Sequence, residues 1–183
     1  MRESGRAARR AIAPEARLAA GEAVATRLLA LPQLANARAV LVYAATPEEI
    51  DPAPIAAAVR GAGARTAYPR VCAPGELALH WSDGSDLEPG HCRIPEPSPA
   101  AAEADAAEID AVLVPGAAFD ESCLRLGLGG GFYDRLLARL RPDAVMIGLA
   151  FDEQVVASVP TQAHDVRLDF VVTPTRTLRR SED

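Results

Sequence analysis

A glycine-rich stretch, RLGLGGGFYDRLL from Arg125 to Leu137, is the part of the sequence whose residue types most clearly suggest chemistry. Four of the five positions from 127 to 131 are glycine, and a predicted amphipathic helix follows directly. Because glycine has no Cβ, its backbone N–H groups can come close to a ligand, and the first turn of a following helix adds unpaired donors. The stretch is therefore a candidate phosphate-binding loop, and a tight turn that only reverses the chain is the alternative.

Two familiar phosphate-binding loops do not fit this stretch. A Walker A loop ends in Gly-Lys-Ser/Thr, and the sequence contains no lysine, since its 19 basic residues are all arginines. A dinucleotide fingerprint needs a third glycine where Phe132 stands and begins as a strand ends, whereas the preceding predicted strand ends near Val114. A nicotinamide-dependent oxidoreductase is thus disfavoured, and the absence of lysine excludes a Schiff-base enzyme.

The composition restricts the class of partner. A net charge of −6 over 183 residues argues against nucleic-acid binding, which needs a surplus of cations, so the expected partners are small molecules. The three cysteines, Cys72, Cys92 and Cys123, lack CxxC spacing and indicate free thiols. No window reaches the roughly 20 apolar residues that span a bilayer, and no secretory segment follows the N-terminal arginines. We expect a cytoplasmic monomer with no membrane partner.

Alternating helices and strands must position the glycine-rich loop. A helix is predicted from Pro14 to Leu31 and a shorter one at 53–63, and residues 98–108 are expected to form a solvated surface connection. Buried strands are predicted at 39–44, 65–71, 76–82, 111–116, 144–151 and 168–173. This pattern predicts an α/β fold, with one three-layer αβα domain over residues 1–183 and a mostly parallel, Rossmann-like sheet. Ligands should then bind in a crevice beyond the carboxyl ends of the strands.

A longer block around the loop carries a specific resemblance. The segment VPGAAFDESCLRLGLGGGFYDRLL closely resembles the signature of the 5-formyltetrahydrofolate cyclo-ligase family, which runs roughly VPGxxFDxxGxRLGxGxGYYDxxL. Further blocks fall in the order of that family: RRAIAPEAR, EEID, YPRV, RIPEP, IGLAFDEQ and VPTQAHDVRLDFVVT. The similarity covers almost the whole chain, so it is far more specific than a group of glycines.

The resemblance implies a reaction. Enzymes of this family use ATP and Mg²⁺ to close 5-formyltetrahydrofolate into 5,10-methenyltetrahydrofolate, with release of ADP and phosphate. The formyl oxygen attacks the γ-phosphate, and nitrogen 10 of the folate then attacks the activated carbon and displaces phosphate. Such chemistry requires positioning and charge neutralisation rather than a protein nucleophile.

The resemblance also implies roles for single residues. Arg125 would meet phosphate oxygens as a cationic fork. Asp134 and Asp165 would hold Mg²⁺, and Glu49 would accept hydrogen bonds from the N–H edge of the pterin. The implied catalytic residues are Arg125, Tyr133 and Asp134. The implied nucleotide-binding residues are Arg2, Arg125, Leu126, Gly127, Leu128, Gly129, Gly130, Gly131, Phe132 and Tyr133. The implied folate-binding residues are Glu49, Leu128, Gly129, Gly130, Gly131 and Phe132.

Each implied role has a simpler structural alternative. Arg125 could form a surface ion pair with a neighbouring acid at position 120 or 121. Asp134 could stabilise a helix dipole without any metal, and Asp165 could cap a turn before the last strand. Glu49 could be an ordinary exposed acid. His164, beside Asp165, is assigned no role.

The sequence departs from the family pattern at three places. Phe132 replaces the first of two tyrosines, which keeps a ring for stacking but loses a hydroxyl. Cys123 replaces a glycine and should alter only the shape of the loop. Aligned without a gap, Arg2 falls on a ligand-contacting arginine of the family, while the family's nucleotide-binding lysine would lie ahead of Met1. Three explanations stay open: an upstream start, ATP binding without that cation, for which Arg6 could substitute, or a non-catalytic folate- or nucleotide-binding protein.

Overall fold

The computed structural model describes residues 1–162 and 165–181. Its helices are α1 (Arg2–Ala11), α2 (Pro14–Leu29), α3 (Pro32–Ala35), α4 (Ala53–Gly61) and α5 (Phe132–Leu137). Its strands are β1 (Ala39–Leu41), β2 (Arg65–Ala73), β3 (Glu76–Trp81), β4 (Glu88–Pro89), β5 (Pro95–Glu96), β6 (Ala111–Val114), β7 (Ala118–Asp120), β8 (Arg125–Leu126), β9 (Val145–Leu149), β10 (Val155–Val156), β11 (Phe170–Val172) and β12 (Thr177–Arg179). Short 3₁₀ turns lie at His91–Arg93, Ala106–Glu108 and Asp152–Gln154.

A seven-stranded sheet in the order β12-β11-β9-β6-β1-β2-β3 forms the centre of the fold. Its five inner strands run parallel, while β3 and β12 close the two edges as antiparallel strands. Antiparallel edges on an otherwise parallel sheet are common in α/β proteins. The predicted α/β fold with a mostly parallel sheet is confirmed, although β12 was not among the predicted strands.

Side chains of the inner strands alternate between two buried clusters, one on each face of the sheet. In β1, Val40 belongs to the first cluster and Leu41 to the second, because successive residues of a strand point to opposite faces. Leu28 of α2 and Ile55 of α4 cover the first face, and Leu136 of α5 covers the second. Helices therefore lie on both faces, as the αβα prediction requires.

The order of the strands determines where the sheet leaves room for a ligand. From β1 the chain passes through α4 to β2 on one side, and it later returns to β6 on the other side of β1. At such a reversal the loops after the two strands diverge and leave a crevice at their carboxyl ends. Residues 43–49 follow β1 and residues 115–117 follow β6, so these segments border the crevice.

A second, three-stranded sheet in the order β10-β7-β8 holds the start of the glycine-rich loop. The hairpin of β7 and β8 is closed by Asp120, whose Oδ1 accepts the N–H groups of Ser122 at 3.0 Å and Leu124 at 3.1 Å. Its Oδ2 accepts the N–H of Val159 at 2.9 Å. This small sheet was not predicted, and it fixes the backbone of Arg125 in β8.

Several predicted elements differ in extent from the observed ones. The predicted helix from Pro14 to Leu31 ends at Leu29, and α3 begins at Pro32, where proline suits the first helical position. The predicted strand 39–44 is paired as a strand only as far as Leu41, although the N–H of Val42 still donates to the carbonyl oxygen of Ala67 of β2 at 2.8 Å.

The connection 98–108 is largely exposed, as predicted, but it also packs in part against the sheet. Ala104 and Ala106 are buried, and the segment extends the edge of β3. Trp81 donates its N–H to Ala102 at 2.8 Å, and Ala104 donates to Leu79 at 2.8 Å. The side chains of Ala104 and Ala106 therefore pack onto the sheet, while Ala100, Ala102 and Ala107 face water.

Cys123 occupies a left-handed backbone position, with φ of +62°, which explains why a glycine suits the matching place in the family pattern. Its side chain is buried in the second cluster, and this burial raises the pKa of the thiol to about 11. Cys72 and Cys92 are exposed, and all three thiols are free, as predicted. Cys123 is therefore a neutral packing residue at the base of the hairpin.

Candidate functional site

One face of α1 lies against the loops that follow β1 and β6. Arg2 donates from Nε to the carbonyl oxygen of Gly127 at 3.0 Å, and Arg9 reaches Glu49 on the loop after β1. Between them Gly5 is buried, and a Cβ there would lie 2.1 Å from the carbonyl oxygen of Ala117. Residues at this spacing share one helix face, so α1 is held directly against the backbone that follows β6. Helix α1 was not predicted, although the spacing of Arg2, Gly5 and Arg9 is typical of one face of a helix.

Glu49 is clamped by hydrogen bonds to both carboxylate oxygens. Oε1 accepts from Nη1 of Arg9 at 2.9 Å, and the two side chains are only 4% and 7% exposed. Oε2 accepts the N–H of Thr46 at 2.9 Å and its hydroxyl at 3.0 Å. The alternative that Glu49 is an ordinary exposed acid is wrong. Arg9 and Thr46 are functional candidates that the sequence reasoning did not identify.

Arg125 and Asp134 form a second ion pair. Nη2 of Arg125 lies 2.5 Å from Oδ1 of Asp134, and Nη1 donates to the carbonyl oxygen of Pro115 at 3.4 Å. The Arg125 side chain is 3% exposed. Asp120 is held instead by backbone N–H groups, and Glu121 pairs with Arg176. The surface-pair alternative for Arg125 is therefore wrong, and Asp134 has a specific cationic partner beyond a helix dipole.

The hydroxyl of Tyr133 interacts electrostatically with one residue of each ion pair, Glu49 and Arg125. The guanidinium carbon of Arg125 is 5.8 Å from the centroid of its ring. Burial raises the pKa of the Tyr133 hydroxyl, the Glu49 carboxylate raises it further, and Arg125 opposes both. Burial, followed by the charge of Glu49, likewise raises the pKa of Tyr43, whose hydroxyl donates to the carbonyl oxygen of Ile50 at 2.5 Å. Tyr133 is therefore a neutral hydroxyl that can donate a hydrogen bond.

Most buried polar atoms without a partner among the described residues lie around this site, and the exception is Nε of Arg141 near Asp110. Within the described part of the chain, Nε of Arg9, Nε of Arg125 and the hydroxyl of Tyr133 are buried and have no hydrogen-bond partner. Nε of Arg17, a residue that lines the crevice beside Glu49, shares this property. Buried polar groups are nearly always satisfied in folded proteins. The unsatisfied donors of Arg125 and Tyr133, beside the glycine-rich loop, therefore indicate a place for ligand acceptors.

The glycine-rich loop presents free backbone donors next to this group. No hydrogen bond to a described residue is donated by the amide N–H groups of residues 127–132. Gly129 and Gly131 have φ of +108° and +63°, and a Cβ on Gly127 would lie 2.8 Å from Nη1 of Arg125. The helix that follows, α5, has only six residues, so the loop amides contribute more donors than the helix.

Arg135 ties the glycine-rich loop to the hairpin of β2 and β3. Its Nε donates to the carbonyl oxygen of Gly75 at 2.7 Å, and its Nη2 donates to that of Gly130 at 2.6 Å. A Cβ on Gly75 would lie 2.0 Å from this guanidinium. Arg135 was not among the predicted residues, because its contacts span 60 positions of sequence.

Arg135→Ala should loosen the loop and raise the KM for the ligand that the loop binds about fivefold, the equivalent of one hydrogen bond of roughly 1 kcal/mol. Arg139→Ala is the matched control, because Arg139 donates to Leu77 of β3 at 3.1 Å and has no contact with the loop. Steady-state kinetics of both variants provide the comparison. Equal effects in the two variants would contradict the role of Arg135 as a tether.

The remaining predicted residues have the following positions. Leu126 is buried in β8, and Leu128 is exposed. Phe132 is half-buried, with its ring centroid 6.1 Å from that of His91. Asp165 accepts the N–H of Gln162 at 2.7 Å, which fits the alternative of a turn cap. His164 lies outside the described residues.

A crevice of about 380 Å³ opens beside Glu49, between α2 and the loop after β1. Arg17, Leu18 and Gly21 of α2 line one side, and Thr46 lies on the other. A larger open groove of about 670 Å³, lined in part by Arg65, lies at the start of β2. Because that edge is opposite to the carboxyl ends of the parallel strands, the smaller crevice is the better ligand site.

The acids of the site fit a metal ion that a nucleotide also ligates rather than a protein-only cage. No group of three or more His, Cys, Asp or Glu side chains that could hold a metal occurs among residues 1–162 and 165–181. Asp134 uses Oδ1 for Arg125, which leaves Oδ2 as an acceptor. Mg²⁺ commonly binds one or two carboxylates together with waters and phosphate oxygens, and Asp134 satisfies that requirement.

Comparisons with known proteins show the family of this chain and relatives of the same fold. The pattern of the 5-formyltetrahydrofolate cyclo-ligase family matches residues 1–174. The 5-formyltetrahydrofolate cyclo-ligase of Escherichia coli is 33% identical over 173 residues, which are 92% of this chain and 95% of that protein. The 5,10-methenyltetrahydrofolate synthetase of Aquifex aeolicus superposes with a TM-score of 0.87 at 29% identity, over 100% of this chain and 92% of that one. A synthetase from Mycoplasma pneumoniae has the same fold, with a TM-score of 0.78 at 20% identity over 94% and 96% of the two chains.

Proposed function

Because the chain belongs to the 5-formyltetrahydrofolate cyclo-ligase family, we propose that it cyclises 5-formyltetrahydrofolate to 5,10-methenyltetrahydrofolate with ATP and Mg²⁺. It is an enzyme of folate metabolism, and ADP and phosphate are the proposed by-products. The single observation that best supports the proposal is the set of unsatisfied buried donors of Arg125 and Tyr133 beside the free amides of residues 127–132. An anionic ligand would satisfy these donors.

The nucleotide is proposed to bind along the glycine-rich loop. The free amides of the loop are suited to phosphate oxygens, and the buried Arg125 supplies a fixed cationic fork. Arg2 already touches the loop at Gly127, which supports its proposed contact with the nucleotide. These arginines would neutralise phosphate charge on the bound nucleotide.

Asp134 and Asp165 are the proposed residues for Mg²⁺. When bound, the ion would neutralise charge on the phosphate oxygens during transfer. Asp134 is held in place for this role by Arg125, while Asp165 is anchored to Gln162. The ion pair also keeps the Asp134 carboxylate beside the guanidinium of Arg125, so that a ligand for the cation lies next to a ligand for the phosphates.

The folate is proposed to bind at the crevice beside Glu49. A carboxylate that is fixed by Arg9 and Thr46 can accept hydrogen bonds from the N–H edge of the pterin. The neutral hydroxyl of Tyr133 is a donor for the same ligand, and the loop residues 128–132 would cover it from the nucleotide side. Phe132 offers a ring for stacking.

The residues of this chain contribute positioning to the reaction. The formyl oxygen displaces ADP from the γ-phosphate, nitrogen 10 then bonds to the formyl carbon and loses its proton to the departing phosphate or to water, and phosphate departs with that oxygen. For this the two substrates must meet in line, and the loop between Arg125 and Tyr133 is the element that borders both proposed sites. The buried surroundings of Tyr133 would also exclude water from the activated formyl group.

An absorbance assay tests the proposal. The purified chain is mixed with 5-formyltetrahydrofolate, ATP and Mg²⁺, and the near-ultraviolet band of the methenyl product is followed. We expect the band to rise only when ATP and metal are both present. A flat trace with calorimetric binding of both ligands would instead support the alternative, a non-catalytic folate- or nucleotide-binding member of the family.

Four further expectations are proposals of the same kind. Residues 1–183 are proposed to act as one unit, which the continuous central sheet supports. A monomer and a cytoplasmic location stay predictions, as does the absence of a nucleic-acid partner. Among the described residues, no helix is both long enough and apolar enough to cross a bilayer.

A further inference from the structure

We propose that Arg9 is a positioning residue of the substrate site, whose guanidinium holds the Glu49 carboxylate in place before 5-formyltetrahydrofolate arrives. This inference rests on the proposed function, because it concerns the residue assigned there to the pterin. Arg9 lies on α1, 40 positions from Glu49 in sequence, and its Nη1 donates to the Glu49 carboxylate. It would therefore act through Glu49 rather than on the substrate.

The hydrogen bonds of Glu49 leave a defined acceptor position. An ionised carboxylate has about four lone-pair sites on its two oxygens. Thr46 fills Oε2 with two donors, its N–H and its hydroxyl. Oε1 receives one hydrogen bond, from Arg9. The pterin hydrogen bond is thus expected on Oε1, the oxygen whose position Arg9 controls.

The burial of the pair points to function more than to stability. Both side chains are almost fully buried, and desolvation of two such charges largely cancels their attraction, so an apolar pair of similar size is often as stable. Nε of Arg9 also lacks a partner among the described residues, which adds to the cost. A carboxylate fixed in advance, however, saves the substrate the cost of ordering it.

The position of Arg9 is itself rigid. Gly5, one helical turn earlier, packs against the carbonyl oxygen of Ala117 so closely that no Cβ would fit. Arg2 anchors the start of the same helix to Gly127. Because α1 is held at these points, the guanidinium of Arg9 presents its donor to Glu49 from a fixed frame. The same helix links the proposed nucleotide loop to the proposed folate site.

A neighbouring ion pair provides a matched control. Arg10 follows Arg9 on α1 and pairs with Glu48, the residue before Glu49, at 3.4 Å. Arg10 is 53% exposed, and an exposed pair of this kind contributes little. Arg10→Met therefore removes the same type of side chain from the same helix without disturbing the Glu49 carboxylate.

The test measures KM for each substrate in the full chain. Arg9→Met should raise KM for 5-formyltetrahydrofolate about 10- to 100-fold, the range expected for a charge-assisted hydrogen bond, and change KM for ATP less than about twofold. Arg9→Lys should restore part of the loss, and Thr46→Ala should raise the same KM about threefold. Arg10→Met should match the wild type. In a Glu49→Gln background, Arg9→Met should add almost nothing, because the partner is already changed.

Several results would overturn the inference. Equal increases in both KM values, or an Arg9→Met effect that persists undiminished in the Glu49→Gln background, would assign Arg9 a structural role only. If Arg9→Met does not fold, unchanged KM values in both Arg9→Lys and Thr46→Ala would have the same meaning. A wild-type chain that neither cyclises nor binds 5-formyltetrahydrofolate would refute the proposed function and this inference with it. If the wild type does cyclise the substrate, the results for the variants test the role of Arg9 by itself.

Discussion

Arg125→Met should lower kcat/KM for ATP by about 10³-fold, the scale on which an arginine that meets a transferring phosphoryl group contributes. Arg125 has a buried Nε without a partner among the described residues and lies directly before the free amides of the loop. Methionine keeps the length of the side chain but removes every donor. Because the phosphoryl group gains no compensating cation from a lysine in this chain, the loss should be large. Steady-state kinetics with varied ATP at saturating 5-formyltetrahydrofolate measure it.

Two further variants separate this effect from a general loss of structure. Arg125→Lys keeps the charge but lacks the planar fork, so its kcat/KM should fall between those of the wild type and Arg125→Met. Arg38→Ala is the control, since Arg38 is 87% exposed and stands at the start of β1, away from the carboxyl ends of the strands. A thermal melt of each variant checks folding. Wild-type kcat/KM in a folded Arg125→Met chain would remove Arg125 from the proposed nucleotide site.

Parts of the site that depend on local sequence were predictable. The glycines marked a loop with free backbone donors, because glycine acts at its own position. The strand after Asp110 was predictable from a run of apolar residues, and so was the placement of ligands at the carboxyl ends of the strands. These features need only periodicity and topology.

The partners of the charged residues were not predictable in the same way. The arginines at positions 6, 9 and 10 cannot be told apart by residue type. Arg9 is the one that faces inward, because Gly5 packs on Ala117 and so orients the helix. Arg125 had acids nearby at 120 and 121, yet Asp120 is used to close the β7–β8 hairpin. Long-range pairs are chosen by packing, which single-sequence patterns do not contain.

The small sheet β10-β7-β8 was missed for a related reason. Its strands have two or three residues each, too few for an alternation to be recognised. They are held by the carboxylate of Asp120 and by Gln154, whose Nε2 donates to the carbonyl oxygen of Gly116 at 2.9 Å. Polar side chains thus specify this small sheet, and the sheet in turn positions Arg125.

Asp134→Asn should raise the Mg²⁺ concentration needed for half-maximal turnover at least about tenfold, because a neutral amide is a far weaker ligand for a hard cation than a carboxylate. The amide keeps the size of the side chain and an oxygen that can still accept from Arg125, so the fold should be unchanged by circular dichroism and thermal melting. The measurement is initial rate against Mg²⁺ concentration at saturating ATP and folate.

A matched variant and a metal series make this prediction specific. Asp143→Asn removes the same charge from an exposed site in the turn beyond α5, and it should leave the Mg²⁺ dependence at the wild-type value. The structural alternative, in which Asp134 only pairs with Arg125, predicts lower turnover with an unchanged Mg²⁺ midpoint. The ion pair with Arg125 is weakened whether or not Asp134 binds the metal, but only the loss of a ligand lowers the affinity for Mg²⁺. A Mg²⁺ midpoint that shifts in Asp134→Asn and not in Asp143→Asn therefore identifies Asp134 as a metal ligand.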